Sequence, residues 1–270
     1  MKKSILHGPY VPKHEENLMS SEGAVALARD NFINNRFRNL DFLLRFRYEW
    51  MNNYLEPNSI ILEVGAGAGF SPLYLKQKTI LSDAANNPWI EKFIDATNMD
   101  VDSNSVDVII ASHNIHHFFS PYKFFMECDR VLKNNGILLI QEINTSLFMR
   151  ILLRLMKHEG WSYDVNVFDP NEIVNDISDL WSANCAVPEL LFNNISQFEN
   201  TFLSLKVELN EPCECLIFPV SGGVVSKTKV PELPAFILNA ILILDRILVK
   251  IAPNIFALGR RVVIKKLAKD

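Results

Sequence analysis

The sequence has few of the features that mark specialised classes of protein. Its 270 residues include only four cysteines, and no two of them form a C-x-x-C pair. We therefore expect neither a disulfide framework nor a cysteine-based zinc site, but reduced thiols in a cytoplasmic protein. No apolar segment follows the lysines near the start, so no secretory signal peptide is expected. Internal repeats and low-complexity tracts are also lacking.

The chain also lacks an excess of positive charge and a long unbroken apolar segment. Its formal net charge of −4 argues against a nucleic-acid partner held mainly through phosphate contacts. The most apolar stretch, residues 233–252, is interrupted by Asn239, Asp245, Arg246 and Lys250. Its clean part is about ten residues long, too short to span a bilayer. A buried helix is the simplest interpretation, and peripheral contact with a membrane or a lipid tail is the alternative.

The most informative segment is residues 61–70, which read ILEVGAGAGF. An apolar run with Glu63 near its end is followed by Gly65, Gly67 and Gly69. This predicts a parallel strand turning sharply into a helix, with bare backbone where a ligand lies close. A dinucleotide-binding fingerprint would have its third glycine where Phe70 stands, so a nicotinamide-dependent oxidoreductase is rejected. We expect the Glu63 carboxylate to point into the mouth of the sheet and to favour a cationic nucleoside.

The rest of the pattern predicts alternating strands and helices. A helical extension over residues 21–55 comes first, with Ser20 or Ser21 as its cap. Strands are predicted at residues 59–64, 79–82, 92–94, 106–112 and 136–143, with helices in the gaps, notably at 121–132. These elements are followed by a helix over 146–157, paired strands at 202–209 and 213–220, the apolar helix and a strand at 260–264. The alternation predicts a parallel sheet covered on both faces, with ligands at the carboxyl ends of its strands.

The segment ILEVGAGAGF resembles the first motif of the class I S-adenosylmethionine-dependent methyltransferases, which are the Rossmann-like group. Further segments resemble later motifs of this family in the same order. Residues 79–83 end a second strand with Asp83, and residues 102–109 resemble the turn into strand four. Residues 130–140 resemble the helix, turn and strand that lead into strand five. The resemblance covers roughly residues 55–145.

The resemblance implies S-adenosylmethionine as the cofactor. Asp83 would bind the ribose hydroxyls, Asp95 would accept a hydrogen bond from the adenine amino group, and Met99 would cover the ring. The sequence departs from the family at residues 99–101, where Met-Asp-Val replaces the usual Leu-Pro-Phe, and Pro88 indicates a very short second helix. The expected cofactor-binding residues are Glu63, Gly65, Ala66, Gly67, Gly69, Asp83, Asp95, Ala96 and Ser112.

Three histidines follow the carboxyl end of strand four, where the transferable methyl should lie. The family often has Leu-His-His at the position of Ile115, His116 and His117. No acid or cysteine near them in the sequence completes a metal site with His113, His116 and His117, so no metal is expected. A neutral histidine is a suitable base for a hydroxyl acceptor, and His116 or His117 is our candidate for the base or for an acceptor-orienting group. A packing role for either is the alternative.

Further polar and aromatic residues are expected on the acceptor side. Glu142, at the end of strand five, should face the rim of the site. Residues 157–163, which include Trp161, are expected to form a lid. The turn at 221–223 and the apolar helix are expected to build a cap.

The sequence thus predicts an α/β fold: a Rossmann-like, doubly wound and mostly parallel sheet with helices on both faces. We assign residues 1–55 to an N-terminal helical extension, 56–145 to the cofactor-binding core and 146–270 to an acceptor-side insertion with the closing strands. The expected reaction is O-methylation of a saccharide, glycolipid or lipid-linked metabolite. Alternatives are a C- or O-methyltransferase of a quinone- or polyketide-like aromatic, or a catalytically silent binding protein. The expected location is the cytoplasm, and peripheral membrane contact through 233–252 is the alternative to a buried helix.

Overall fold

The computed structural model describes residues 8–12, 21–157, 159–179, 181–225 and 228–268, without the side chains of residues 21–24. Three predictions concern residues or side chains outside this description. They are the irregular first residues, the helix cap at Ser20 or at the Ser21 side chain, and His158 in the lid. The strands are β1 Ile61–Val64, β2 Thr79–Asp83, β3 Lys92–Phe93, β4 Val106–Ser112, β5 Leu132–Ile143, β6 Leu205–Cys213 and β7 Gly259–Lys266. The α-helices are α1 Ser21–Asn35, α2 Arg38–Tyr48, α3 Pro121–Val131, α4 Leu147–Met156, α5 Val187–Phe192, α6 Ile195–Thr201, α7 Ile217–Ser221, α8 Ala235–Ile251 and α9 Pro253–Phe256.

The seven strands form one sheet in the order β3-β2-β1-β4-β5-β7-β6. Strands β1 to β5 run parallel, whereas β7 is antiparallel to both of its neighbours, β5 and β6. The chain changes direction across the sheet between β1 and β4, and a ligand crevice opens outside the carboxyl ends of strands at such a switch point. The predicted fold class, a mostly parallel Rossmann-like sheet, is confirmed.

Alternate residues of the strands bury two apolar faces, as the two-residue period of a strand requires. On one face, Leu62, Ile109 and Leu138 pack against α3, α5 and α6. On the other face, Ile61 and Ile110 pack against α1, α2, α7 and α8. Both faces of the sheet are therefore covered, but by helices from very different parts of the chain.

The helix predicted at residues 121–132 forms α3, but the prediction of helices in the gaps was wrong for the connections between β1 and β4. A short 3₁₀ helix, Ser71–Leu73, connects β1 to β2, and no α-helix lies between β2 and β3 or between β3 and β4. The connections are short, and the space beside the sheet is filled by the N-terminal helices instead. The ring of Phe32 in α1 packs edge-on against Phe70, with 4.9 Å between centroids. The N-terminal helices thus cover the part of the sheet that crossover helices would otherwise cover.

The predicted pair of strands around residues 210–212 was also wrong. The chain passes straight through Pro212 as part of β6, which pairs with β7. Proline is tolerated there because β6 is an edge strand, which has no second neighbour among the described residues. Residues after β6 form the helix α7, and the buried carboxylate of Asp245 accepts hydrogen bonds from the backbone N–H groups of Cys215, Leu216 and Ile217.

The apolar segment predicted near the end of the chain forms α8. Leu238, Asp245 and Val249 face the protein, whereas Phe236 and Ile251 are about three-quarters exposed, at 73% and 74%. The helix is therefore only partly buried. Within the described residues, no helix is both long enough and apolar enough to cross a membrane.

Candidate active site

A cavity of about 690 Å³ opens at the carboxyl ends of β1, β2 and β4. Its floor is the glycine turn after β1 and the loop after β3, and α4 lines another side. This volume lies within the usual range for a small-molecule site, about 300–1,000 Å³. The cavity is thus at the switch point of the sheet, where the sequence placed the ligand.

The glycine turn has a left-handed backbone conformation, in which side chains are strained. Gly65, Gly67 and Gly69 have φ values of 59°, 51° and 63°. A Cβ atom on Gly65 would lie 2.6 Å from Nδ2 of Asn114, whereas one on Gly67 would meet no atom within 4 Å. Because Gly67 also lines the cavity, its bare backbone leaves open space for a ligand.

Two carboxylates border the cavity at the ends of β2 and β3. Asp83 accepts hydrogen bonds from the backbone N–H groups of Gly67, at 2.7 Å, and Ala85, at 2.8 Å. Asp95 accepts two through Oδ1, from the N–H and the hydroxyl of Thr97. Each carboxylate is held in place and retains lone pairs for further donors, such as ligand hydroxyl or amino groups.

Most of the expected cofactor-binding residues line this cavity, but Glu63 and Gly69 do not. Those that do are Gly65, Ala66, Gly67, Asp83, Asp95, Ala96 and Ser112. The Glu63 carboxylate lies buried and accepts hydrogen bonds from the Ser71 hydroxyl and, at 3.4 Å, from the Tyr48 hydroxyl. Burial raises the pKa of Glu63 to about 7. A Cβ on Gly69 would lie 2.6 Å from the Trp89 ring, so this glycine allows close packing.

His116 and His117 line the other end of the cavity together with Glu159. Nδ1 of His116 lies 2.6 Å from Oε1 of Glu142, and Nδ1 of His117 lies 3.2 Å from the backbone oxygen of Ser182. Nε2 of His116 is 3.6 Å from one oxygen of Glu159, and Nε2 of His117 is 3.7 Å from the other. We call His116, His117 and Glu159 the histidine cluster.

The two rings of the histidine cluster have opposite electrostatic environments. Burial disfavours a charge on His116, but Glu142 and Glu159 outweigh this cost and raise its pKa to about 10. Burial and the neighbouring His116 lower the pKa of His117 to about 4. At neutral pH His116 is therefore a cation, and His117 is neutral with Nδ1 donating to Ser182. Nε2 of His117 is then a hydrogen-bond acceptor.

Of the described residues in the lid predicted over 157–163, Glu159 lines the cavity. Trp161 is fully buried, donates from Nε1 to the backbone oxygen of Gly8 at 3.1 Å and packs on Tyr10, with 5.1 Å between ring centroids. The Tyr163 hydroxyl bonds Glu189. Trp161 and Tyr163 thus fix the segment to the rest of the fold.

Several cavity residues were not identified from the sequence. Arg47 of α2 lines the cavity and forms a buried bidentate ion pair with Glu214, with N···O distances of 2.9 and 2.5 Å. Trp181 lines the cavity beside His117. No sequence pattern marks either residue, because each reaches the cavity through contacts between distant segments.

Comparison with known proteins supports the class suggested by the fold. Residues 62–140 match the family described as "Methyltransferase domain". A comparison with curated proteins finds no match. Among solved structures, the chain is similar to an S-adenosylmethionine-dependent methyltransferase of Archaeoglobus fulgidus, with a TM-score of 0.49 and 19% identity over 87% of this chain and 98% of that one.

Two other similar structures come from different organisms. An S-adenosylmethionine-dependent methyltransferase of Methanosarcina mazei has a TM-score of 0.47 and 13% identity, covering 82% of this chain and 99% of that one. A geranyl diphosphate C-methyltransferase of Streptomyces coelicolor has a TM-score of 0.45 and 8% identity, covering 85% and 80%. Likenesses this distant do not indicate an acceptor.

The glycine turn, the switch point and the acids that end β2 and follow β3 define a nucleoside-binding α/β protein. The matched domain makes the class more definite: residues 62–140 are a methyltransferase domain, of the kind that uses S-adenosylmethionine. The residues present fit this cofactor. The cavity has open space above Gly67, is bordered by two oriented carboxylates and has sufficient volume for the cofactor.

Proposed function

We propose that the protein methylates an oxygen atom of a small-molecule acceptor, and that this acceptor is a saccharide, a glycolipid or a lipid-linked metabolite. The observation that carries the proposal is the single cavity that joins the glycine turn to the histidine cluster. A cofactor held at one end and a hydroxyl held at the other would be neighbours, as an in-line displacement requires.

The proposed cofactor contacts are made by the residues around the glycine turn. Gly65, Ala66 and Gly67 offer backbone without bulky side chains, and Ser112 lies at the end of the adjacent strand. Asp83 and Asp95 accept hydrogen bonds from hydroxyl and amino groups of the nucleoside. Glu63 acts through its hydrogen bond with Ser71, and is thus a positioning residue. When bound, S-adenosylmethionine supplies a methyl group on a positively charged sulfur.

His117 is the proposed base for the acceptor hydroxyl. Its Nδ1 donates to Ser182, so Nε2 presents its lone pair towards the cavity. His116 is held between Glu142 and Glu159, and both of its ring nitrogens therefore lie near carboxylates. We assign His116 to orienting the acceptor and Glu159, and His117 to accepting the proton.

The acceptor end of the cavity is suited to a molecule with both polar and apolar parts. Met149 and Leu153 of α4 offer an apolar wall, and the Trp181 ring offers a flat surface for a sugar. The carboxylates of Asp176 and Asp179 also line the cavity and can accept hydrogen bonds from sugar hydroxyls. These residues support an acceptor with a sugar and a lipid portion.

The experiment that tests this proposal combines binding with methyl transfer. Calorimetry with S-adenosylhomocysteine should show binding to the full chain, and no binding would overturn the proposal. Labelled S-adenosylmethionine is then incubated with fractionated lipids and glycans, and the methylated atom is located by mass spectrometry. A labelled aromatic product in place of a sugar or lipid would reject the acceptor class.

The base is tested separately with His117→Ala. We expect a loss of about 10²–10⁴-fold in kcat with unchanged S-adenosylhomocysteine affinity. Asp102→Asn is the control, because this exposed residue lies outside the cavity. Equal kcat for His117→Ala and the control would assign His117 to packing.

We also propose that the outer face of α8 lies on an anionic membrane surface. Phe236, Ile243, Ile247 and Ile251 are exposed along one side of this helix. α9 packs against both α8 and α4, which carries the exposed Leu155. An apolar face that leads towards a wall of the cavity would bring the enzyme to a lipid-linked acceptor.

The charges around this face favour anionic lipids. Arg246 and Lys250 are exposed on the same helix, next to the apolar stripe. Flotation should recover the protein with vesicles that contain phosphatidylglycerol and not with pure phosphatidylcholine. Ile243→Ser combined with Ile247→Ser should abolish recovery without changing S-adenosylhomocysteine affinity. Recovery of the wild-type protein in the unbound fraction with both vesicles would reject the membrane contact.

A further inference from the structure

The histidine cluster has the composition and spacing of a metal site. One ligand atom from each of His116, His117 and Glu159 can be chosen so that all three lie within 4.8 Å of one another. All three side chains line the cavity. We propose that they bind a divalent transition-metal ion whose open coordination positions face the acceptor. In the metal-bound protein the ion would occupy the Nε2 lone pair of His117, and it would then replace His117 as the group that favours loss of the acceptor proton.

The distances within the cluster are close to those of a metal-bound set. The Nε2 atoms of His116 and His117 lie 3.6 and 3.7 Å from the two oxygens of Glu159. Two ligands at about 2.1 Å from a tetrahedral ion are themselves about 3.4 Å apart. The three chosen ligand atoms lie within 4.8 Å of one another, so an approach of up to about 1.4 Å between ligand atoms would bring both imidazoles and the carboxylate to bonding distance of one ion.

Each of the three ligands has a partner that fixes its orientation. Nδ1 of His116 contacts Glu142 at 2.6 Å, and Nδ1 of His117 contacts the backbone oxygen of Ser182 at 3.2 Å. Metal-binding histidines typically donate their other N–H in this way. The Nε2 atom of neutral His117 is therefore available to the ion, whereas an ion bound to His116 must displace the proton on its Nε2. Glu159 accepts a hydrogen bond from the Cys185 thiol at 3.3 Å. The cluster thus has a supporting shell as well as ligands.

The kind of ion follows from the donor atoms. Two imidazoles and one carboxylate suit Zn²⁺, Fe²⁺ or Co²⁺, whereas Mg²⁺ and Ca²⁺ prefer oxygen ligands throughout. Three protein ligands leave at least one coordination position open. The assignment of that position to an oxygen of the acceptor rests on the proposed function, but ion binding itself does not. This assignment limits the acceptor to molecules with a hydroxyl or anionic oxygen that can coordinate a metal.

No metal was expected from the sequence, because no acid or cysteine lies near the histidines along the chain. The fold supplies that acid from the segment after α4, since Gly160 pairs with Asn184 and Asn184 bonds the backbone oxygen of His116. This backbone network connects the segment that contains Glu159 to the histidines. The carboxylate is therefore positioned by the fold.

Ion binding is tested on the full chain after treatment with a chelator. Calorimetry should show one strong Zn²⁺ site and no comparable binding of Mg²⁺, and Co²⁺ should give a visible absorption spectrum of a low-symmetry site. His117→Ala and Glu159→Gln should each weaken Zn²⁺ binding at least tenfold. His113→Asn is the matched control: this neighbouring histidine also lines the cavity but does not belong to the cluster, and its left-handed φ of 53° suits asparagine.

The outcomes separate this inference from the proposed function. Circular dichroism first checks that each variant is folded, and Glu159→Gln keeps the shape of the side chain if His117→Ala does not fold. Absence of strong Zn²⁺ binding, or equal binding by the wild type and both variants, would overturn the metal site. Calorimetry with S-adenosylhomocysteine on the same metal-free sample tests the methyltransferase proposal independently, because its residues lie at the other end of the cavity.

Discussion

Replacement of Gly67 by alanine should separate cofactor binding from folding. The residue has a φ of 51°, and an L-residue in this conformation costs roughly 1–2 kcal/mol. The new Cβ would meet no protein atom within 4 Å, so no clash adds to this cost. We expect the melting temperature to fall by about 2–4 °C per kcal/mol. The methyl group would, however, occupy space over the backbone that the cofactor needs.

The expected loss of S-adenosylhomocysteine affinity is at least about tenfold, or about 1.4 kcal/mol. Calorimetry measures the affinity, and thermal unfolding measures the stability of the same samples. Gly65→Ala is a useful comparison, since its Cβ would lie 2.6 Å from Asn114 and should reduce stability more. Gly8→Ala is the neutral control, with open space around it and no positive φ. Affinity of Gly67→Ala within twofold of the wild type would refute a cofactor lying over this residue.

Three further predictions concern buried charges. Arg47→Met should lower the free energy of unfolding, measured in urea, by about 3–5 kcal/mol because Glu214 is left buried without its partner. Combining Arg47→Met with Glu214→Leu should recover most of this loss. A loss below about 1 kcal/mol in the single variant would contradict the prediction. Burial raises the pKa of Glu63 to about 7, so its contribution to stability falls as pH rises from about 4.5 to 7. Glu63→Gln lacks this term, and its stability relative to the wild type should rise between pH 5 and 8; parallel profiles would refute it. Asp245→Ala should cost about 3 kcal/mol or more by leaving three N–H groups without their acceptor, and a change within about 0.5 kcal/mol would show that water replaces it.

Features encoded by neighbouring residues were predictable. The strand at residues 106–112 has the expected bounds, because its continuous apolar run fits a strand buried on both faces. The glycine turn was predictable because alternate glycines allow the left-handed conformation that the turn adopts. The positions of Asp83 and Asp95 beside the cavity followed from their place at the ends of strands.

Features that depend on distant contacts were not predictable. The predicted orientation of Glu63 was wrong because its carboxylate accepts hydrogen bonds from Ser71 and Tyr48, on two different elements, and does not line the cavity. The approach of Glu159 to the histidines depends on pairing between segments far apart in the chain. Trp161 was predicted to lie at the site because its segment is rich in polar and aromatic residues. Its contacts are instead with the N-terminal segment at residues 8–10. Such contacts leave no local periodicity in the sequence.

The position of β7 has a consequence for how the protein is made. This strand lies between β5 and β6, yet it follows both of them in the chain, at residues 259–266. While the ribosome is still synthesising the preceding residues, β5 has a free edge, and β6 has no neighbour to pair with. Unpaired edges readily associate with other chains. We therefore expect nascent chains that stop before residue 259 to depend on chaperones, and the sheet to close only after β7 has emerged.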